Sequence, residues 1–374
     1  MPASYPFSGG GAYPTGDLLA AWSQITRRTF LPVIQSLPYT TTPTLAALLA
    51  DRDLGTGGIA PITQTVQYGP ANVGGWIGPA GDMGMPQPLL PVKNAQWTYK
   101  WFALPIIIHK MEVLAQEEQA VFDILEVRLT DATNYMMQQF SEYLWYNVPD
   151  APSTPSVPFW PQLFVDPLGL TGFAELVDGP TPSSNTGTPI VSTYGGLPRT
   201  DPDLQGNWQS ICSDFPTSAV TPTRNTVYQY ILNVVRYFGE KPTLGVVPFE
   251  VFAAIVSQFI QSEQFVLYPN NQSATHYDTA VDAIRVAGVN IIGDPLAPTY
   301  NLGGATSGNL LLINTEYLKM IVHRSVDWAL SDFYPLSGSG KLAFQCEVLF
   351  MLEMINVRPK MHALFKGLSG VTMV

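Results

Sequence analysis

Residues 92–108 read VKNAQWTYKWFALPIII. Ala95, Trp97, Tyr99 and Trp101 fall on one side of an extended chain, and Asn94, Gln96, Thr98 and Lys100 fall on the other. A period of two is the mark of a strand with one covered face. A second alternating run, GGIAPITQTVQYG, occupies 57–69. Between the runs lies GPANVGGWIGPAGDMG, residues 69–84, with six glycines, two prolines and one tryptophan. Two alternating strands around a glycine-rich bend predict a long hairpin.

Taken alone, that glycine stretch would suggest a phosphate cradle. A phosphate-binding loop needs G-x-x-x-x-G-K-[ST] opening directly into a helix, whose backbone N–H groups meet the anion. Here no lysine follows before Lys93, and strand-like residues come next. Gly74-Gly75-Trp76-Ile77-Gly78 also lacks the spacing of a dinucleotide fingerprint. The stretch reads as the tip of an arm.

Outward from the hairpin, the pattern changes. Residues 106–147 contain no Gly and no Pro, and Met111, Leu114, Leu125, Leu129, Met136, Phe140 and Leu144 recur at spacings of three and four. This predicts one long amphipathic helix over 106–147. Upstream, Asp17 caps an expected helix through Leu18, Trp22, Ile25 and Phe30, and TPTLAALLADRD predicts a second, short one. Residues 148–223 are dense in Pro, Gly, Ser and Thr, with recurring aromatics, and predict short strands and turns. From 224 onward the chain reads as an α/β unit. NTVYQYILNVVRYFGEKP is a helix closed by Gly239 and Pro242, TLGVV is a buried strand, and PFEVFAAIVSQFIQ is a helix with Pro248 in its first turn. AIRVAGVNIIGDP, NLLLINTEYL and the segment from Lys341 onward supply further strands.

Composition narrows the function classes. The 374 residues are 46% hydrophobic but only 13% charged, about half the usual share for a soluble protein. A chain so sparing of charge suggests surface buried against other chains. A net charge of −11 and the absence of any Lys/Arg run argue against a dedicated nucleic-acid reader; Arg27-Arg28 is the densest basic pair. No run of eighteen apolar residues is present, so no membrane span is expected, and the first sixteen residues do not read as a signal peptide. Cys212 and Cys346 alone make no disulfide framework and favour a reducing compartment. His109, His276, His323 and His362 lie far apart without metal-ligand spacing, and no G-x-S-x-G occurs. No catalytic, cofactor-binding or metal-binding residue is therefore singled out.

The order of elements and several short stretches resemble the major capsid proteins of tailed bacteriophages, the Hong Kong 97-type fold. LGLTGFAEL followed by TYGGLPRTDPDLQGNW is similar to the family's G-L turn and G-G-hydrophobic-x-R…W run, with Gly195, Gly196, Leu197, Arg199 and Trp208 in place. GEKPTLGVVPFEVFAAIVSQF, AIRVAGVNIIGDP (Gly288, Asp294) and INVRPKMHALFKGL (Pro359, Gly367, Leu368) resemble later stretches of the family.

The resemblance implies an α+β fold divided as follows: an N-terminal arm over 1–54, an E-loop hairpin over 55–104, a P domain over 105–223 with its spine helix at 106–147, an A domain over 224–321, P-domain return strands over 322–358, and an A-domain segment over 359–374. It implies a non-enzymatic shell protein without cofactors, assembling as hexamers and pentamers in the host bacterial cytoplasm into an icosahedral virion. Its expected partners are copies of itself, a separate scaffolding protein, a portal protein and an optional decoration protein. It would enclose double-stranded DNA without sequence-specific binding, and no membrane is involved. Only about fifteen residues precede the first expected helix, so no built-in scaffold segment is expected. Subunit-contact candidates are Gly74, Gly75, Trp76 and Ile77 at the tip, Trp97 and Trp101 on the returning strand, Arg27 and Arg28 in the arm, and Arg199 and Trp208. Trp76 either docks into an adjacent subunit or folds back on its own strand. Some members form Lys–Asn crosslinks helped by a buried Glu; Lys93, Lys100, Glu353 and Asn356 match in type only, and crosslinking is not expected. Two other readings fit the composition: an encapsulin-like compartment, and an acidic polymer- or sugar-acting enzyme or binding module.

Overall fold

The computed structural model describes residues 42–55, 61–68, 91–109, 118–155, 157–178, 189–204, 206–261, 283–336 and 343–371. The expected N-terminal helix, Arg27, Arg28 and the glycine stretch with Gly74, Gly75, Trp76 and Ile77 lie outside these residues.

The chain divides into two compact units. The larger comprises 38–101, 137–325 and 351–374. It begins with α1 (Pro43–Ala50), which has Pro43 at its first turn and every residue but Ala50 buried. Strand β1 (Asp53–Gly55) follows, then the hairpin of β2 (Ile62–Gln67) and β3 (Val92–Trp97). These two pair antiparallel from Ile62↔Trp97 to Gln67↔Val92, which is the hairpin expected from the alternation. Strand β4 (Lys100–His109) comes next, followed by α2 (Glu118–Tyr146).

Here the structure departs from the sequence reading twice. First, residues 106–109 belong to β4, and the helix runs from Glu118, not from Ile106. Ile106, Ile107 and Ile108 are β-branched, and β4 pairs with a later strand, so sheet pairing overrides the helix-compatible composition. The helix of 29 residues is about 44 Å long, shorter than the expected run would give. Second, the alternation does not run unbroken. Ala95 and Trp97 are buried in β3, the strand breaks at Thr98–Tyr99, and in β4 the even-numbered Ile106 and Ile108 are the buried ones. Trp101, expected beside Trp97, is 54% exposed.

After α2 the chain forms the short α3 (Phe173–Leu176), β5 (Thr193–Tyr194), β6 (Leu197–Pro198), a 3₁₀ turn at Pro202–Leu204 and β7 (Ile211–Cys212). The α/β portion follows. α4 (Arg224–Phe238) starts at Thr223, whose side chain accepts from the Thr226 N–H, and stops at Gly239 in the left-handed conformation. β8 (Leu244–Pro248) is wholly buried and runs straight into α5 (Phe249–Gln261), so Pro248 ends the strand instead of opening the helix. β9 (Ile284–Val286) and β10 (Val289–Asp294) form a hairpin whose two-residue bend, Ala287-Gly288, takes positive φ at both positions.

β11 (Thr299–Leu302) and β12 (Ala305–Ile313) complete the run before β13 (Leu318–His323). After β14 (Ala329–Leu330), β15 (Tyr334–Pro335) and the long β16 (Ala343–Asn356), the chain closes with β17 (Ala363–Ser369). A seven-stranded sheet has the order β7-β17-β12-β8-β10-β9, with β11 on β12. Its core joins Val227, Ile231 and Val234 of α4 and Val251 and Ile255 of α5 to Val247, Ile291, Leu310, Leu312 and Phe365. Strand β13 lies parallel to β1 and antiparallel to the end of β16, Leu352–Asn356.

The smaller unit comprises 102–136 and 326–350 among the described residues. In it β14 and β15 pair antiparallel with the start of β16, and Trp328 stacks near Phe350 at 4.8 Å between ring centroids.

Candidate assembly arm and its anchor

The hairpin β2–β3 is a two-stranded ribbon, and such a ribbon is marginal on its own in water. Its root is fixed by aromatic packing. The Trp97 ring lies 5.6 Å from Tyr194 and 6.5 Å from Trp208, and Tyr194 lies 5.9 Å from Trp208. All three are buried. The Gln96 N–H donates to the Gly195 carbonyl at 3.0 Å, joining β3 to the β5–β6 turn. Gly195 has φ +57°, and a Cβ there would stand 2.9 Å from the Trp97 indole, so the position demands glycine both for conformation and for space.

Arg199 completes the anchor from within. It is fully buried, its guanidinium 5.0 Å from the centre of the Tyr194 ring. It donates to the carbonyl of Asp178 at 3.1 Å and to that of Glu175. The Leu176 carbonyl receives the Asn356 side-chain amide at 2.8 Å, and the Asn356 N–H donates to the Tyr194 hydroxyl at 2.7 Å. Carbonyls at the end of α3, left without helical partners, are thus satisfied by Arg199 and Asn356. Trp208 Nε1 donates to the Tyr194 carbonyl at 3.0 Å. The GG-hydrophobic-x-R…W stretch is a buried knot that seats the arm.

Outside the knot, Lys93 bridges Asp201 at 2.5 Å and Asp203 at 2.9 Å. Hydrogen bonds to Asp201, then to Asp203, push the Lys93 ammonium up to about 12, and Lys93 in turn holds the Asp201 carboxyl below its usual range. Lys100 donates to the Pro167 carbonyl at 2.6 Å. Glu353 is 1% exposed; burial raises its carboxyl to about 7, against the opposing pull of Lys100 and of N–H donation from Thr171 and Met354. Asn356 is buried among chain-internal partners.

Of the residues singled out by sequence, the structure therefore brings Trp97, Arg199 and Trp208 together, with their side chains turned inward. Trp101 stands apart from them on the surface. Tyr194, Glu175 and Asn147 were not singled out. Tyr194 adjoins the Gly195-Gly196 pair that was, but its partner Asn356 lies 162 residues away, and no local pattern marks that. Cys212 and Cys346 are buried free thiols. Among the described residues no group of three His, Cys, Asp or Glu side chains comes together as a metal site would require.

No family model and no curated protein matches the chain. Among solved structures, the capsid asymmetric unit of cyanophage A-1(L) is similar at 15% identity over 88% of this chain and 93% of that chain, with a TM-score of 0.60. The capsid of a native GTA particle is similar at 10% identity over 87% of this chain and 91% of that one, with a TM-score of 0.51. The chain has the fold of these capsid subunits, as the sequence resemblance implied.

Proposed function

We propose that this chain is the major capsid protein of a tailed double-stranded DNA phage, assembling as hexamers and pentamers into a closed shell around the genome. The observation that carries the reading is the hairpin arm rooted in a buried aromatic knot, on a fold shared with capsid subunits along most of the chain. A ribbon this costly to hold makes sense if its far end meets another subunit. On this reading the chain works without catalysis or cofactor. A scaffolding protein, a portal protein and an optional decoration protein are its partners, and assembly takes place in the host cytoplasm. Trp97, Arg199 and Trp208 serve assembly indirectly by aiming the arm, while Gly74, Gly75, Trp76, Ile77, Trp101, Arg27 and Arg28 are the candidates for direct contact.

Electron microscopy of the purified protein, expressed with and without a co-encoded scaffold, tests this. Closed shells, or rings of five or six, are expected. A monomer under every condition overturns it, and shells that enclose a protein cargo instead of DNA overturn the genome-enclosing role. Within such shells, Trp76→Ala is expected to lower the temperature at which particles come apart, because a large aromatic on a glycine tip is a natural anchor. Unchanged heat resistance would remove Trp76 from the contact.

A further inference from the structure

Leu168 is 80% exposed, the most exposed of the large apolar side chains among the described residues. A surface leucine alone means little, but the loop that carries it is unusually well fixed. Asn147 donates its side-chain amide to the carbonyls of Asp166 at 3.1 Å and Leu170 at 2.8 Å, and its Oδ1 accepts the Asp166 N–H at 2.9 Å. Tyr143 donates to Asp166 Oδ2 at 2.8 Å, while Asp166 Oδ1 accepts the Leu168 N–H at 3.0 Å. Lys100 holds the Pro167 carbonyl. Pro167 has a fixed φ, and Gly169 packs so tightly on Tyr143 that a Cβ there would stand 2.1 Å from the ring. Both faces of the loop are tied down, and only the Leu168 side chain is left in water. Ordering cost is already met before any contact forms, which is what distinguishes an anchor from a stray apolar residue.

The smaller unit carries a matching concavity. Leu104, Pro105, Ile106 and Ile107 of β4 and Arg128, Ala132 and Tyr135 of α2 line an open groove of 390 Å³, with Asp131 at its margin. Ile107 is 38% and Tyr135 50% exposed there. Asp131 stands beside the groove, and the cation Lys100 stands beside the knob, so the two surfaces are opposite in charge as well as complementary in form.

We infer that the Leu168 knob of one subunit seats in the β4–α2 groove of a second copy of this chain. Two different patches on one chain make a head-to-tail contact, the kind that closes into rings when the rotation per subunit allows it. The inference rests on the shell-forming reading, and it names the surfaces that would join subunits apart from the arm.

The test is a cysteine pair in the full chain. Native Cys212 and Cys346 are buried, so Leu168→Cys and Ala132→Cys would report on the introduced sites. After mild oxidation of assembled material, the double variant is expected to give a ladder of dimers, trimers and larger species on a non-reducing gel. Each single variant is expected to stay monomeric. A double variant that stays monomeric while its particles are intact overturns the contact and leaves the shell-forming reading untouched. Dimers from Leu168→Cys alone would show a knob-to-knob contact and also overturn it. If the parent chain never assembles, the shell-forming reading fails and the inference falls with it. Leu168→Asp in parallel is expected to reduce particle yield by about tenfold or more with an unchanged subunit melting temperature; undiminished yield would count against the contact.

Discussion

Trp97 and Trp208 occupy one aromatic knot, yet they do different work. Trp208 Nε1 donates to the Tyr194 carbonyl in a buried setting, whereas Trp97 Nε1 is buried with no hydrogen-bond partner among the described residues. Substituting Phe removes similar ring area from both. Only Trp208→Phe also strips a buried carbonyl of its donor, which costs about 1–3 kcal/mol beyond the packing loss. Trp208→Phe is therefore expected to lower the melting temperature more than Trp97→Phe. Trp97→Phe should instead loosen the arm, seen as faster proteolysis within 61–97. Equal melting temperatures for the two variants would mean that the Trp208 bond contributes nothing. The residue types were plain in the sequence, and Arg199 and Trp208 stood out by resemblance. Their inward orientation was not readable, because a guanidinium that satisfies carbonyls at the end of α3 is indistinguishable in sequence from one at a surface.

At the scale of elements, α2 was legible through Leu129, Met136, Phe140 and Leu144, all buried as their spacing requires. Its start was not, since Ile106–Ile108 satisfy either period over so short a run. The end of α2 passes straight into Asn147, which is fully buried and fastens the Asp166–Leu170 loop by three hydrogen bonds. Asn147→Ala leaves two carbonyls and one N–H to find new partners, and a loss of about 2–4 kcal/mol is expected. Urea unfolding would measure it. A change below about 0.5 kcal/mol would show that the loop keeps its form without Asn147, and that the exposed Leu168 is less firmly presented than its bonds suggest.

For the whole molecule, buried acids set a pH dependence. Burial raises the carboxyls of Glu353, Glu175 and Asp294, with like charge from Asp150 adding to the rise at Glu175. For Glu353 the folded value is about 7 against an ordinary 4.5, so between those limits the folded chain holds more protons than the unfolded one. Stability must then fall as pH rises through that window, by up to about 3 kcal/mol from this group alone. Glu353→Gln removes the titrating group at nearly constant shape. Relative to the parent it is expected to gain melting temperature at pH 8 compared with pH 5. Parallel pH profiles for parent and variant would show that Glu353 does not titrate in this range.

The sequence by itself determined the features whose causes are local. Alternation around a glycine-rich bend specified the β2–β3 hairpin, Thr223 and Gly239 bounded α4, and Ala287-Gly288 turned β9 into β10. Each follows from backbone preference and side-chain period within a few residues. Tertiary structure alone decided which way Trp97, Trp101, Arg199 and Trp208 face, where β4 gives way to α2, and that Asn356 meets Tyr194. Periodicity reports that a face is covered, but not what covers it. The partners of a buried polar group are fixed by packing between segments that are far apart in the chain.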